Sequence, residues 1–380
     1  MLTLLKNITP LVFQHRVTEL TYFTTDACNM KCRHCFVHDA LNNRALQLSL
    51  DEISRMSPHL PAMQRVHLGG GEPFTRSDIG PLATLISNEW NAGIVCVPTN
   101  GWFTERILEG MRHFGTHGKG QLRLHFSINS PDPEEMDNFT QLNGSFLRWR
   151  RSIDAALALR AKYPGITIVA LATYNEFNQH IFKELIDFLN AEVGVDDFSF
   201  QLARTHGDYA PRLDISHFRE MNAYYFRKWN RQHPVLASFR ETTRERNADY
   251  FENPLFSKRC TSGKIRLVMS PNGDLYPCEK LGYPNLKEMA AWRIGNIRDF
   301  DYDMNAAVQS PQARSLYKTI CESNCHCDHN IDQSLSLLSS GEFRNRVLWR
   351  AWDRFMKTQP MRKGVSSEWR LLKGILRWFL

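Results

Sequence analysis

Three cysteines stand close together near the start of the chain, in TTDACNMKCRHCFVHDA (residues 24–40): Cys28, Cys32 and Cys35. Clustered thiols in a reducing compartment point to metal or redox chemistry rather than to disulfides. Three thiolates can hold three irons of a cubane 4Fe–4S cluster, whereas a ferredoxin-type cluster takes four. The missing fourth ligand would leave one iron open to a substrate or cofactor. On a helix the three positions would share a face, but Asp26, Asn29, Lys31, Arg33 and His34 supply no apolar stripe for a buried one. Zinc held by the three thiols and His34 or His38 is the other arrangement these residues allow.

Five more cysteines form a second group. CTSGKIRLVMSPNGDLYPC places Cys260 and Cys278 around a hairpin, with PNGD (271–274) as the turn. CESNCHC then adds Cys321, Cys325 and Cys327. A hairpin brings its ends together, so these thiols suffice for a second cluster, and a structural zinc site is the competing reading. The ninth cysteine, Cys96 in IVCVP, reads as a small buried hydrophobe.

The elements that must position these residues alternate between strand and helix over the first 205 residues. Strand patterns run over 17–23, 65–68, 94–98, 122–128, 166–173 and 198–203, with amphipathic helices such as 145–163 and 179–192 between them. That alternation predicts an α/β fold with a parallel sheet, and six units are too few for a closed eight-stranded barrel. Such sheets gather functional loops at the carboxyl ends of their strands. The unusual residues fall there: Cys28 to Cys35 after the first strand, GGGEP (69–73) after the second, TNG with Asn100 after the third, and Ser127 and Asn129 closing the fourth.

These features together resemble the radical S-adenosylmethionine enzymes, on the Cys28-x3-Cys32-x2-Cys35 loop and on Gly70-Gly71-Glu72-Pro73 at the next strand end. The resemblance implies a partial parallel (β/α)6 barrel. It also implies a 4Fe–4S cluster whose open iron chelates S-adenosylmethionine, and one-electron cleavage to a 5′-deoxyadenosyl radical that abstracts a substrate hydrogen. It assigns Gly70, Gly71, Glu72 and Pro73 to the methionine amino group, with glycines giving the backbone close approach to a ligand. Asn100 is placed with the cofactor. Ser127 and Asn129 are assigned to ribose and methionine, and Arg204 to the cofactor carboxylate. His34 stands where the family carries Tyr or Phe, next to adenine.

The second group resembles the SPASM/twitch extension of the same family, through Cys260-x12-Gly273-x4-Cys278 and IGNI (294–297). Five cysteines favour the twitch form with one auxiliary 4Fe–4S cluster, on Cys260, Cys278, Cys321 and either Cys325 or Cys327. The division expected is a radical core over 1–212, a helical linker over 213–255, an auxiliary-cluster domain over 256–335 and a basic amphipathic tail over 336–380.

Composition sets the remaining limits. Hydrophobic residues make up 42% and charged residues 23%, with no repeat or low-complexity tract. The net charge of +7 sits in residues 341–380, where ten Lys/Arg face three Asp/Glu, so no general nucleic-acid surface is indicated. No signal peptide or membrane-length apolar run is present, which predicts a cytoplasmic protein. The segment 366–380 has a basic stripe of Arg370, Lys373 and Arg377 and reads either as docked on the preceding domain or as a peripheral membrane contact. The expected partners are a flavodoxin or ferredoxin as one-electron reductant and a small-molecule or carrier-linked substrate, because only about 16 residues precede the first strand. A maturase acting on a ribosomal peptide is the alternative enzyme. A non-catalytic metal-binding protein that kept the fold is the alternative of another class.

Overall fold

The computed structural model describes residues 16–206, 209–229, 234–253, 260–323 and 343–358, with individual positions between 325 and 337. Nine strands form one sheet in the order β6-β5-β4-β3-β2-β1-β7-β8-β9. The first six are Glu19–Phe23 (β1), Arg65–Gly69 (β2), Ile94–Thr99 (β3), Gln121–Ser127 (β4), Ile166–Tyr174 (β5) and Asp197–Leu202 (β6). Each pairs in parallel with its sequence neighbour. They match the six expected strands to within two residues at either end.

Helices cover one face: Ile79–Glu89 (α1), Thr104–His117 (α2), Ser145–Arg160 (α3), Phe182–Phe188 (α4), Ile215–Lys228 (α5) and Pro234–Glu252 (α6). Val66, Leu68, Val95, Val97, Leu122, Leu124, Phe126, Ile168, Phe198 and Phe200 send their side chains into the core they share with those helices. Each helix thereby buries an apolar stripe that would otherwise face water. The opposite face alternates with it: β4 reads exposed-buried-half-buried along QLRLHFS, and β2 reads half-buried-buried along RVHLG. Buried parallel sheets normally carry continuous apolar runs because both faces are covered. Alternation in these strands marks a face that lines a hollow.

The hairpin of the second cysteine group joins this same sheet. Arg266–Met269 (β7) runs parallel to β1, and Asp274–Tyr276 (β8) and Gly295–Asn296 (β9) continue it antiparallel. Glu19 stands opposite Arg266 and Tyr22 opposite Met269, so the hairpin extends the barrel wall. Pro311–Glu322 (α7) leads to the closing cysteines, and Trp349–Thr358 (α8) packs on α6 through Arg350–Glu245 at 2.7 Å and Arg354–Glu241 at 2.9 Å. Among the described residues no helix is long and apolar enough to cross a membrane, and 366–380 lies outside them.

Candidate functional site

The chain leaves β1 into the cysteine loop, which has little regular structure and borrows its hydrogen bonds from side chains. Asn42 brackets Cys28: its Oδ1 accepts from the Cys28 N–H at 3.0 Å and its Nδ2 donates to the Cys28 carbonyl at 3.2 Å. Asp26 accepts from the Ala45 N–H at 2.9 Å. Buried Arg76 donates to the Thr24 carbonyl at 3.3 Å and the Leu48 carbonyl at 2.8 Å, while Asp78 holds its Nε at 2.5 Å. From the other side the N–H groups of Lys31 and Arg33 reach the carbonyls of Thr140 and Phe139 at 3.1 and 3.3 Å. Neither Arg76 nor Asn42 carries a sequence signal beyond its polarity, and the motif reading passed over both.

Burial pushes the Cys28 thiol up to about 12 and the Cys35 thiol up to about 11; Cys32 goes higher still. Like-charge repulsion adds to burial: Cys32 feels Cys35 and Cys28, and Cys28 feels Glu72 and Cys35. The three thiols are therefore near neighbours that ionise together only beside strong cationic charge. Among the described residues no three His, Cys, Asp or Glu side chains converge on a single-ion site. Tetrahedral zinc needs such convergence, whereas each thiolate of a cubane meets its own iron. Two further atoms of the loop, Asn29 Nδ2 and His34 Nδ1, are buried with no hydrogen-bond partner. Three thiols with unpartnered polar atoms beside them fit an iron–sulfur cluster carrying a polar ligand.

His34 lies 4.8 Å from Phe139, and its pKa falls to about 4 through burial, then His206 and Arg204, so the ring is neutral. It thus keeps the flat apolar packing of an aromatic neighbour.

GGGEP pairs directly with the loop. The N–H of Gly71 donates to the Thr25 carbonyl at 2.9 Å and that of Glu72 to the Ala27 carbonyl at 2.8 Å. Gly70 has φ +134°, and a Cβ there would stand 2.2 Å from the Thr25 oxygen; at Gly71 it would stand 2.3 Å from the Ala27 oxygen. Their glycine character answers to the cysteine loop, where the sequence suggested room for a ligand. Gly69 does have that room, with nothing within 4 Å of a Cβ. The carbonyls of Gly70 and Gly71 accept no hydrogen bond among the described residues. Pro73 is buried and opens the short turn that follows.

Glu72 is 2% exposed and accepts from Phe74 N–H at 3.0 Å, Thr99 Oγ1 at 2.9 Å and Asn100 N–H at 2.6 Å. Its carboxyl thus ties the end of β2 to the end of β3. Burial raises its pKa to about 7 against the pull of these donors. Asn100 donates through Nδ2 to Asn29 Oδ1 at 2.9 Å and accepts from Trp102 N–H at 3.0 Å, so its side chain clamps the loop. Ser127 ends β4 half-buried, and buried Asn129 accepts from the Thr173 N–H at 3.2 Å, linking β4 to β5. Arg204 sits 2.8 Å from Glu279 and 4.0 Å over the Phe36 ring, between the cysteine loop and the hairpin.

Glu279, next to Cys278, is the hub of the second group. Arg204 at 2.8 Å, Arg266 at 2.6 Å and His329 at 3.2 Å converge on it. Burial would raise its carboxyl, but His329, Arg204 and Arg266 outweigh burial and hold it well below the usual carboxylate range. The Cys327 thiol lies 3.8 Å from the His329 carbonyl, which brings the closing group to the hairpin end. Tyr317 draws in the other ligand candidates: its hydroxyl donates to the Cys260 carbonyl at 3.2 Å and lies beside the Cys321 thiol. Cys325 is half-buried in the closing group, and Cys96 is 2% exposed inside β3, as its apolar neighbours suggested.

The radical SAM superfamily model matches residues 22–189. Curated relatives named GTP 3′,8-cyclase include one from Syntrophomonas wolfei, 27% identical over 43% of this chain and 48% of its own, and one from Alkaliphilus metalliredigens, 26% identical over 48% and 54%. The chain spans about half the length of these relatives. Among solved structures, Streptococcus suis SuiB bound to S-adenosylmethionine aligns at TM-score 0.58 and 18% identity, covering 84% of this chain and 72% of that one. The anSMEcpe structure with bound AdoMet and a Cp18Cys peptide aligns at 0.59 and 16%, covering 90% and 99%. At these identities the likeness is one of fold.

Proposed function

We propose, for a chain whose residues 22–189 belong to the radical SAM superfamily, a radical enzyme that opens its reaction by hydrogen abstraction. The observation that carries the reading is the three-thiol loop locked onto the GGGE segment at adjacent strand ends, with two buried polar atoms left over. Cys28, Cys32 and Cys35 would hold a 4Fe–4S cluster there, which together with S-adenosylmethionine and one electron would supply a 5′-deoxyadenosyl radical.

The protein's own work is positioning. Cys28, Cys32 and Cys35 hold the cluster, and Asn42 and Arg76 hold the loop. The free carbonyls of Gly70 and Gly71 accept from an ammonium group. His34 on Phe139 offers a neutral flat surface to adenine, and Ser127 and Asn129 meet the ribose side. Arg204 shares itself between Glu279 and any cofactor carboxylate. Cys260, Cys278, Cys321 and one of Cys325 and Cys327 hold an auxiliary cluster, with a flavodoxin or ferredoxin as electron donor. The substrate is a small or carrier-linked molecule. The relatives named for a nucleotide substrate favour it, whereas the peptide-bound structures share only the fold.

Anaerobic reconstitution of the full chain with iron, sulfide and reductant tests this. It should yield about eight irons per chain, as two 4Fe–4S clusters require, and 5′-deoxyadenosine on addition of S-adenosylmethionine. A chain that takes up iron yet forms no 5′-deoxyadenosine would overturn the reading.

A further inference from the structure

The inward face of the sheet carries more positive charge than the chain neutralises. Helix-side packing of Val66, Leu68, Leu122, Leu124 and Phe126 turns Arg65, His67, Arg123 and His125 onto the opposite face, where all four stay half-buried. Register brings two of them level: His67 stands opposite Cys96, and Cys96 opposite Arg123. Their backbones are thus two strands apart, roughly 10 Å, with only the small Cys96 side chain on the strand between them.

Three carboxylates face these cations, and each already has an arginine beside it: Glu19 stands opposite Arg65 on the neighbouring strand and acts on it directly. Glu279 takes Arg266 and Arg204, and Asp197 takes Arg240 at 2.6 Å. Among the described residues Arg123 makes no hydrogen bond or ion pair, and its Nε is buried without a partner. His67 Nε2 is buried and unpartnered in the same way. The surroundings act on both: burial first, then Arg65, Arg266 and His125, drive His67 well below its ordinary range, and burial lowers even Arg123. His125 falls to about 3 through burial and then Arg123. A guanidinium with a buried, unpartnered Nε, whose acidic neighbour Asp197 is already paired with Arg240, is costly to keep, and packing alone would be served better by an apolar residue.

We propose that this hollow binds an oxyanion of the substrate, a carboxylate or a phosphate, between Arg123 and His67. The guanidinium fork matches either group in geometry and charge. The site lies below the strand-end loops, since His67 is two residues before Gly69 and Arg123 four before Ser127, roughly 7 and 13 Å down their strands. Between this position and the strand ends, Gly69 has nothing within 4 Å of a Cβ, so the backbone there leaves room for a ligand. A molecule anchored here by its anionic end presents its remainder to the strand-end site above. That the anion belongs to a substrate rests on the radical reading; that an anion binds does not.

The test titrates inorganic phosphate and, separately, acetate into the reconstituted full chain by isothermal calorimetry. At least one should bind saturably at a single site, the tighter arm naming the group, and Arg123→Gln should weaken it at least tenfold. Arg123→Lys, which keeps the charge without the fork, should weaken it several-fold and covers the case in which the glutamine variant fails to fold. Arg123→Met should leave the melting temperature of the anion-free protein unchanged or raised, where a residue needed for packing would lower it. Absence of saturable binding by both anions, equal binding by Arg123→Gln, or a lowered melting temperature in Arg123→Met overturns the proposal. Because no step needs S-adenosylmethionine, 5′-deoxyadenosine formed without anion binding rejects this site alone, and anion binding without 5′-deoxyadenosine rejects the radical reading alone.

Discussion

Replacing Glu72 by Gln should make the stability curves of mutant and wild type cross as pH rises. Glu72 titrates near 4.5 in the unfolded chain, and burial raises it to about 7 in the folded one. The folded protein therefore keeps this proton longer than the unfolded chain does. The associated stability is whole below pH 4.5, declines through the interval, and is gone once pH passes about 7. At 1.36 kcal/mol per pKa unit the full change is about 3 kcal/mol. Glutamine cannot titrate and lacks that slope. It can keep the Phe74 and Thr99 hydrogen bonds through its carbonyl, but its NH2 then faces the Asn100 N–H now 2.6 Å from the Glu72 carboxylate. One buried N–H left unsatisfied costs about 1–3 kcal/mol. Glu72→Gln should thus be the less stable protein near pH 5 and equal or better by pH 8. Urea unfolding of the metal-free proteins across that range reads the difference. A constant offset at every pH would refute the reasoning, because it would mean that burial leaves the carboxyl near its ordinary value.

Three further outcomes follow from contacts in the site. Gly70→Ala places a methyl against the Thr25 oxygen at a φ that side chains avoid, so it should lower stability by at least about 1 kcal/mol and reduce iron uptake by the first site; normal iron content would contradict this. Glu279→Gln removes the anion shared by Arg204, Arg266 and His329 and should cost about 3–5 kcal/mol, the range for breaking a buried charge pair; urea unfolding at neutral pH checks it, and an unchanged midpoint would count against the hub. Replacing Cys28, Cys32 and Cys35 together by Ala should halve the iron per chain and abolish 5′-deoxyadenosine, with the remaining iron lost only when Cys260 and Cys278 are also replaced.

The parts visible in the sequence were those with a period or a spacing. β4 could be read from LRLHFSI because alternation survives in it, and its observed span, Gln121–Ser127, differs by one residue at each end. The cysteine loop could be read from spacing, since three thiols so close have few other uses. Contacts across the sheet were hidden, because they depend on register. Arg76 is a lone arginine beside Asp78 in the sequence, and only folding sets it under the Thr24 carbonyl. Glu72 reads as a ligand residue, yet its three donors come from its own turn and the next strand. Arg123 and His125 were visible as polar residues inside a strand. Their meaning needed the knowledge that these strands are parallel, and that the alternation is therefore not the ordinary contrast of core and solvent.

The placement of β7 has a mechanical consequence. β1 runs directly into the Cys28 loop, and β7, its parallel neighbour, runs into the hairpin that carries Cys278. The two thiol groups therefore hang from adjacent strands of one sheet. Arg266 stiffens the join, donating from β7 to Thr21 on β1 at 2.8 Å and to Glu279 at 2.6 Å. Arg204 adds a third tie, from beyond β6 back to Glu279 and Phe36. A hinge between the two groups would have to break backbone hydrogen bonds along the β1–β7 pair and separate buried charges at Glu279, both costly in a low-dielectric interior. Their separation is thus set by strand spacing and does not depend on a substrate to close it. The two thiol groups and the strand ends between them therefore form a frame that is assembled before any ligand arrives.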